Sequence, residues 1–166
     1  MPLLGLPDHL EEERLAVGRY VSELDTGDVL GPVEYVLSPF VIREYAHANE
    51  MHHPFFQGLR EGLVMPPTLI HLDKLRLYNH ACPAGTGPDA RIHYEYDCTM
   101  HEPVRVGARL SVGGRVTQRF SKRGRDMMII DMELHDVADG RLLVSYRDTV
   151  LLAYAPKDVA IEAAAS

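Results

Sequence analysis

The chain has 166 residues, of which 46% are hydrophobic and 25% charged, and its formal net charge is -7. These values are ordinary for a soluble globular protein, so we expect one domain with one sizeable core over residues 1–166. The acidic balance argues against nucleic-acid and anionic membrane surfaces, since both bind clustered Lys and Arg. No apolar run reaches the roughly 20 residues that span a bilayer. Acidic residues also follow the apolar start within a few positions, so we expect a cytoplasmic protein.

The first two predicted elements are a helix and a strand. Asp8, with Glu11 three residues later, is typical of a capping box and predicts an N-terminal helix over about 8–24. Residues 29–37 read as a strand, which Pro32 places at an edge or a bulge because proline cannot donate to a ladder.

Two further helices are predicted before the sequence changes its periodicity. Ser38 followed by Pro39 is a typical helix start, and that helix should run to about Asn49. A second helix over about 67–80 is rich in leucine, which indicates a central, largely buried position. Only Cys82 and Cys98 are present, and we expect both to be reduced, buried thiols.

From residue 90 onward the pattern predicts four long antiparallel strands. They cover about 92–100, 106–120, 126–137 and 142–154. The first alternates apolar and polar residues and should be half-buried, and Gly113–Gly114 indicates a bulge in the second. The tail over about 157–166 is alanine-rich and should fray. The sum is an α+β hotdog fold, in which a curved antiparallel sheet wraps around a long central helix.

Three motifs resemble the MaoC-like hydratase/dehydratase family. Residues 42–54 are similar to the stretch whose common form is F-A-x-A-x-G-D-x-N-P-x-H. Residues 62–68, Gly-Leu-Val-Met-Pro-Pro-Thr, resemble the entry G-x-x-A-P-P-T into the central helix of the subgroup related to fatty-acid-synthase dehydratases. Residues 101–108 resemble the junction h-x-P-V-x-x-G-D. The three motifs occur in the family's order and on the expected elements.

The resemblance implies binding of an acyl-CoA or acyl-carrier-protein thioester and reversible addition of water across its α,β double bond. In that chemistry an Asp and a His hold the water and move protons. A backbone amide at the start of the central helix polarises the thioester carbonyl. We expect no cofactor, and no metal site either, because the sequence has no HxH, HExxH or Cys/His ligand spacing.

The sequence departs from the family at the positions of that Asp and His. When Pro54 is aligned with the family's proline, the Asp position holds Met51 and the His position holds Phe56, and neither side chain can transfer a proton. His53 stands at the Asn position. His52 and His53 are therefore the candidate catalytic bases, because an ordinary imidazole titrates near neutral pH. The alternative is that both are loop histidines without a catalytic role.

The candidate substrate-binding residues are Thr68, Pro67, Met51 and Phe56. Since prolines lack an N–H, Thr68 is the first residue after the proline pair that can polarise a carbonyl. Met51 and Phe56 would line the acyl chain, although aromatic residues more often fill a core.

Three functions stay open at this point. The chain is a hydratase or dehydratase with a non-standard base, or a non-catalytic subunit paired with another MaoC-like chain that supplies the Asp/His dyad. The third is a thioesterase of the same fold, for which Asp73 would be the acidic residue of the central helix. A homodimer or heterodimer is expected in each case, because hotdog domains pair with their central helices side by side.

Overall fold

The computed structural model describes residues 18–57, 62–85, 87 and 91–152. Two 3-10 turns lie at Val21–Glu23 and Pro67–Ile70, and the second leads directly into a helix. Within these described residues the α-helices are α1, Pro39–Ala48, and α2, His71–Ala81. The five strands are β1 Val29–Val36, β2 Ile92–Met100, β3 Arg109–Lys122, β4 Arg125–Asp136 and β5 Leu142–Leu151. Among the described residues, no helix is both long enough and apolar enough to cross a bilayer.

All five strands join one antiparallel sheet in the order β1-β3-β4-β5-β2. The predicted α+β architecture, an antiparallel sheet with a central helix, is confirmed. The consecutive strands β3, β4 and β5 form the predicted meander, but β2 pairs with β5 and not with β3. The connection over 101–108 is long enough to carry the chain from one edge of the sheet back to its interior.

The central helix, which we define as the turn Pro67–Ile70 together with α2, packs on β1 and β3. Its residues Ile70, Leu77 and Tyr78 are buried in the core, as the leucine-rich pattern predicts. Leu75 faces the other way and is 38% exposed.

The predicted N-terminal helix over 8–24 lies mostly outside the described residues. The prediction is wrong for the last part of this range, where the chain forms only the 3-10 turn Val21–Glu23. Gly18 has a φ of +119°, a left-handed conformation that ends any preceding helix. The predicted fraying tail over 157–166 is also outside the described residues.

On the β4 side the predicted bulge at Gly113–Gly114 is absent, because both glycines pair in regular register. On the β1 side the register does shift at this point, between the pairs Leu30–Gly114 and Val33–Val112, with the extra residue in β1. Against β4 the register of β3 shifts instead between Val116 and Gln118. Gly114 serves a close approach: a Cβ there would lie 2.8 Å from Cγ of Met132 and 3.3 Å from Cδ1 of Leu77. The prediction for Pro32 holds, since β1 is an edge strand whose register shifts between Leu30 and Val33.

Strand β2 is not half-buried as predicted. It is the other edge of the sheet, and most of its residues are exposed, with Tyr94 at 52%. The two cysteines accordingly differ: both are free, but Cys82 is buried and Cys98, on β2, is exposed. An alternating pattern fixes which residues share a face and does not show whether a partner covers that face.

Candidate functional site

The first predicted site lies in the loop that follows α1. The helix begins as predicted, with Oγ of Ser38 accepting a hydrogen bond from the Phe40 N–H at 3.2 Å, and its C-cap is Asn49. The Met51 N–H then donates to the carbonyl of Ala46 at 2.8 Å. This bond folds the start of the loop back against the last turn of the helix.

His52 and His53 are both exposed in this loop. Nδ1 of His53 accepts a hydrogen bond from the Phe55 N–H at 3.3 Å. In the neutral ring the proton is therefore on Nε2, so that neither nitrogen offers a free lone pair. The His53 ring lies edge-on to Phe56, with 6.4 Å between the ring centroids. Within the described residues, the ion pairs that involve a histidine do not include His52 or His53.

The predicted carbonyl-binding amide stands at the start of the central helix. Pro66 is buried, whereas Pro67 and Thr68 are exposed. The Leu69 N–H is already used, since it donates to the carbonyl of Pro66 at 2.9 Å. Among the described residues, no hydrogen bond engages the Thr68 N–H. This amide is therefore available to a ligand at the surface.

Met51 and Phe56, the predicted lining of an acyl pocket, are half-buried. The Phe56 ring packs edge-on against Phe55, with 5.3 Å between centroids. No hydrogen bond or ring contact in the described part of the chain joins this loop to Thr68. Residues 58–61, which connect the two stretches, are outside the described residues.

A second group of interacting polar side chains, which the sequence reasoning missed, lies between the central helix and the sheet. Lys74 of α2 and Asp148 of β5 form an ion pair of 2.8 Å, and their side chains are 4% and 0% exposed. Nδ1 of His93, at the start of β2, lies 2.5 Å from the other oxygen of Asp148 and 3.0 Å from Nζ of Lys74. Neither carboxylate oxygen receives a hydrogen bond of ordinary angle, so close charge contacts hold the three groups. We call Lys74, His93 and Asp148 the charged triad.

Aromatic rings border the charged triad on its exposed side. The His93 ring lies edge-on to His71, with 4.6 Å between centroids, and 5.5 Å from the ring of Tyr96. Burial lowers the pKa of His71, and the positive charge of Lys74 lowers it further. Burial also lowers the pKa of Lys74, while the neighbouring Asp148 carboxylate opposes this effect.

Asp73, the acid proposed for a thioesterase, is also buried, but it faces β1. The Tyr35 hydroxyl donates a hydrogen bond to its carboxylate at 3.0 Å, and Nε of Arg76 lies 3.3 Å away. The Arg76 guanidinium in turn lies over the Tyr35 ring at 4.1 Å. Burial raises the pKa of Asp73 to about 6. This carboxylate is 2% exposed and engaged by two partners, which favours a structural role.

A signal for the buried charges is present in the sequence. The buried positions of the central helix are 69, 70, 73, 74, 77 and 78, which is the spacing of one helical face. Two of them carry Asp73 and Lys74. On β5 the buried alternation Val144, Tyr146, Asp148 likewise includes a carboxylate. Charged residues at core positions need partners. These three residues could therefore have been predicted to form ion pairs, but the sequence does not show which residues are their partners.

Two surface grooves lie elsewhere on the described part of the chain. One of about 390 Å³ is lined by residues of β1, β3 and β4, among them Arg115, Asp131 and His135. The other, of about 360 Å³, lies at the β3–β4 turn and is lined by Tyr94 and Lys122 with their neighbours. Neither includes Thr68 or the loop histidines. Among the described residues, no group of three or more His, Cys, Asp or Glu side chains is arranged to hold a metal ion.

Comparisons with solved structures identify the fold. The 3R-hydroxyacyl-ACP dehydratase complex HadBC from Mycobacterium tuberculosis is 18% identical, with a TM-score of 0.64, over 79% of this chain and 99% of that chain. An R-hydratase from Pseudomonas aeruginosa is 14% identical, with a TM-score of 0.62, over 81% and 85%. A MaoC-like dehydratase from Rhodospirillum rubrum is 16% identical, with a TM-score of 0.60, over 84% and 100%.

These similarities confirm the hotdog fold and match the family that the three motifs resemble. Neither a family model nor a curated protein matches the sequence. At identities below 20% the likeness establishes the fold and leaves the chemistry to be argued from the site.

Proposed function

We propose that this chain is an acyl-thioester hydratase/dehydratase, or a subunit of one, that acts without a cofactor in the cytoplasm. Its reaction would be the reversible hydration of an enoyl-CoA or enoyl-carrier-protein thioester. The proposal rests on one observation: the unengaged N–H of exposed Thr68 stands at the start of a helix whose inner face is buried against the sheet. A backbone donor at the positive end of a helix dipole stabilises the enolate oxygen that forms during such chemistry.

The other predicted site residues are given roles that are consistent with a carbonyl bound at the Thr68 amide. Met51, Phe56 and Pro67 would contact the acyl chain, because they are apolar residues on the two stretches that flank residues 58–61. His52 and His53 are the proton-transfer groups that the loop offers. His53 would have to release the Phe55 N–H before it could accept a proton.

Carbonyl polarisation is testable with hexadienoyl-CoA, whose conjugated chromophore absorbs at longer wavelength when its carbonyl accepts a strong hydrogen bond. We expect a red shift on binding to the chain. The shift should persist in Thr68→Val, which keeps the N–H, and disappear in Thr68→Pro, which removes it. A red shift that survives Thr68→Pro in a folded protein would contradict the role of this amide.

The second candidate is a non-catalytic, substrate-binding subunit of a heteromeric dehydratase. Met51 and Phe56, which stand where the resemblance places the Asp and the His, favour it because neither transfers protons. HadBC, one of the similar structures, is a dehydratase complex. Hydration of crotonyl-CoA and longer enoyl-CoAs by the purified chain alone would support the first candidate. Activity that requires a partner chain carrying D-x-N-P-x-H would support the second.

A further inference from the structure

The groove at the β3–β4 turn has an apolar floor. Leu151 of β5 pairs with Ile92 of β2 on one side and with Met127 of β4 on the other, so the three side chains lie in one row on one face of the sheet. Met127 and Leu151 are almost fully buried, whereas Ile92 is 40% exposed. The groove encloses about 360 Å³, a volume within the range of small-molecule sites. Its floor therefore suits a flat, apolar group.

Tyr94 forms one wall of this groove. The register between β2 and β5 shifts between His93 and Glu95, which leaves Tyr94 as an extra residue without a partner on β5. A bulge of this kind redirects the side chain that it carries. Tyr94 is 52% exposed, and the Lys122 ammonium lies 5.0 Å from the centroid of its ring. An aromatic ring that is more than half exposed at a groove offers a surface on which a second ring can stack.

The rim of the groove carries three cations from the turn itself, Lys122, Arg123 and Arg125. A fourth cation nearby, Arg119, is already neutralised, because its guanidinium donates two hydrogen bonds to the Asp126 carboxylate, at 3.2 and 2.6 Å. Among the described residues, no carboxylate pairs with Lys122 or Arg123. A chain with a net charge of -7 thus concentrates positive charge at one end of one groove.

The turn holds these cations at a cost to its own stability. Lys122 and Arg125 stand directly opposite each other across β3 and β4, and like charges in such a cross-strand pair repel. Arg123 has a φ of 54°, a left-handed conformation that Asn and Gly adopt readily and a longer side chain does not. Residues that oppose local stability are found where a site needs them. An anion bound among the three cations would offset their repulsion.

We infer that this groove binds a nucleoside diphosphate. The base would lie on the apolar floor against Tyr94, and the diphosphate would lie among Lys122, Arg123 and Arg125, since guanidinium groups bind two phosphate oxygens at once. A fatty-acid anion fits less well, because its single carboxylate would leave two cations unmatched. The floor presents no polar side chain to the edge of the base, so ADP and GDP should bind with similar affinity. The site is independent of the proposed hydratase chemistry, because neither Thr68 nor the loop histidines line it.

The experiment measures the Kd of the full chain for ADP by isothermal titration calorimetry near physiological ionic strength, with thermal denaturation of each variant. Arg123→Asn removes one cation and suits the turn better, because Asn favours the left-handed conformation. It should weaken ADP binding by about 10-fold while the melting temperature stays the same or rises. Arg43→Gln is the matched control, since it removes the same charge from an exposed position on α1 and should leave the Kd unchanged.

A second variant tests the binding of the base. Tyr94→Leu keeps an apolar side chain but removes the ring, so it should weaken ADP binding by about 10-fold and leave the Kd for inorganic pyrophosphate unchanged. Coenzyme A carries the same base and diphosphate. Its competition with ADP distinguishes a free nucleotide from the nucleotide end of a thioester as the ligand of this groove.

Three results would overturn the inference. Equal weakening by Arg123→Asn and Arg43→Gln would mean that the chain attracts ADP only through its overall charge. Absence of ADP and GDP binding by the folded wild-type chain would exclude the ligand class. Binding of phosphatidylglycerol vesicles without binding of ADP would assign the groove to a lipid surface. The proposed function is measured separately, by hydration of enoyl-CoAs, and does not fail with any of these results.

Discussion

Lys74 of the central helix and Asp148 of β5 form an ion pair of 2.8 Å in which neither side chain is more than 4% exposed. Most of the strands of the sheet lie between these two residues in the sequence. Taking either charge out of water costs several kcal/mol, which the other must offset. The stability of the packing between the helix and the sheet therefore depends on both residues together.

Removal of one member of this pair should destabilise the protein strongly. In Lys74→Met the Asp148 carboxylate stays buried with only His93 beside it, and we expect the free energy of unfolding to fall by roughly 3 to 5 kcal/mol. Lys74→Met combined with Asp148→Leu should recover most of this loss, because an apolar pair of similar volume needs no compensation. Urea denaturation of the three proteins measures the difference. Equal stability of the single and the double variant would show that Lys74 and Asp148 contribute to stability independently of each other.

Asp73 should make stability depend on pH in the direction opposite to that of a carboxylate whose pKa is lowered on folding. Burial raises its folded-state pKa to about 6, above the value of about 3.9 in the unfolded chain. The folded state therefore holds the proton more tightly, and stability is lost as pH rises through this window. Asp73→Asn, which keeps an acceptor for the Tyr35 hydroxyl, removes the effect.

The measurement is the difference in unfolding free energy between Asp73→Asn and wild type at pH 5 and at pH 7.5. The variant should gain on wild type by on the order of 1 kcal/mol between these values. A difference that is constant, or that shrinks as pH rises, would show that Arg76 and Tyr35 fully offset the burial of this carboxylate.

Gly114 should not tolerate a side chain. A Cβ at this position would lie 2.8 Å from Cγ of Met132 and 3.2 Å from the carbonyl of Asp131. We expect Gly114→Ala to lower the melting temperature, with a loss of about 1 to 3 kcal/mol from overpacking. Gly113→Ala is the matched control, since its Cβ would meet only the Leu30 carbonyl at 3.8 Å. Thermal denaturation that ranks the two variants in the reverse order would contradict the packing argument.

The cap of α1 offers a smaller prediction. Ser38 Oγ accepts the Phe40 N–H, which has no partner within the helix. Ser38→Ala should cost about 1 kcal/mol, and Ser38→Gly only a few tenths. Chemical denaturation of wild type and both variants measures these losses, and a Ser38→Ala protein as stable as wild type would mean that the hydroxyl does not act as the cap.

The sequence by itself determined the elements whose signals are local. The capping serine before α1, the proline pair before the central helix and the turns that close the hairpins depend on neighbours within a few residues. Arg123 and Gly124, with φ values of 54° and 73°, form the turn between β3 and β4. These features follow from the chemistry of single residues and their spacing, and so does the apolar content of residues 67–80, which predicts a largely buried helix.

Only the tertiary structure decided what the polar residues at core positions do. Lys74, His93 and Asp148 are separated in sequence by 19 and 55 residues, and no local pattern relates them. They meet because β2 crosses to the far edge of the sheet and pairs with β5, which places His93 on the face that the helix covers. Partner choice for a buried charge is a property of the packed fold, since the desolvation that makes the partner necessary arises only when the helix and the sheet come together.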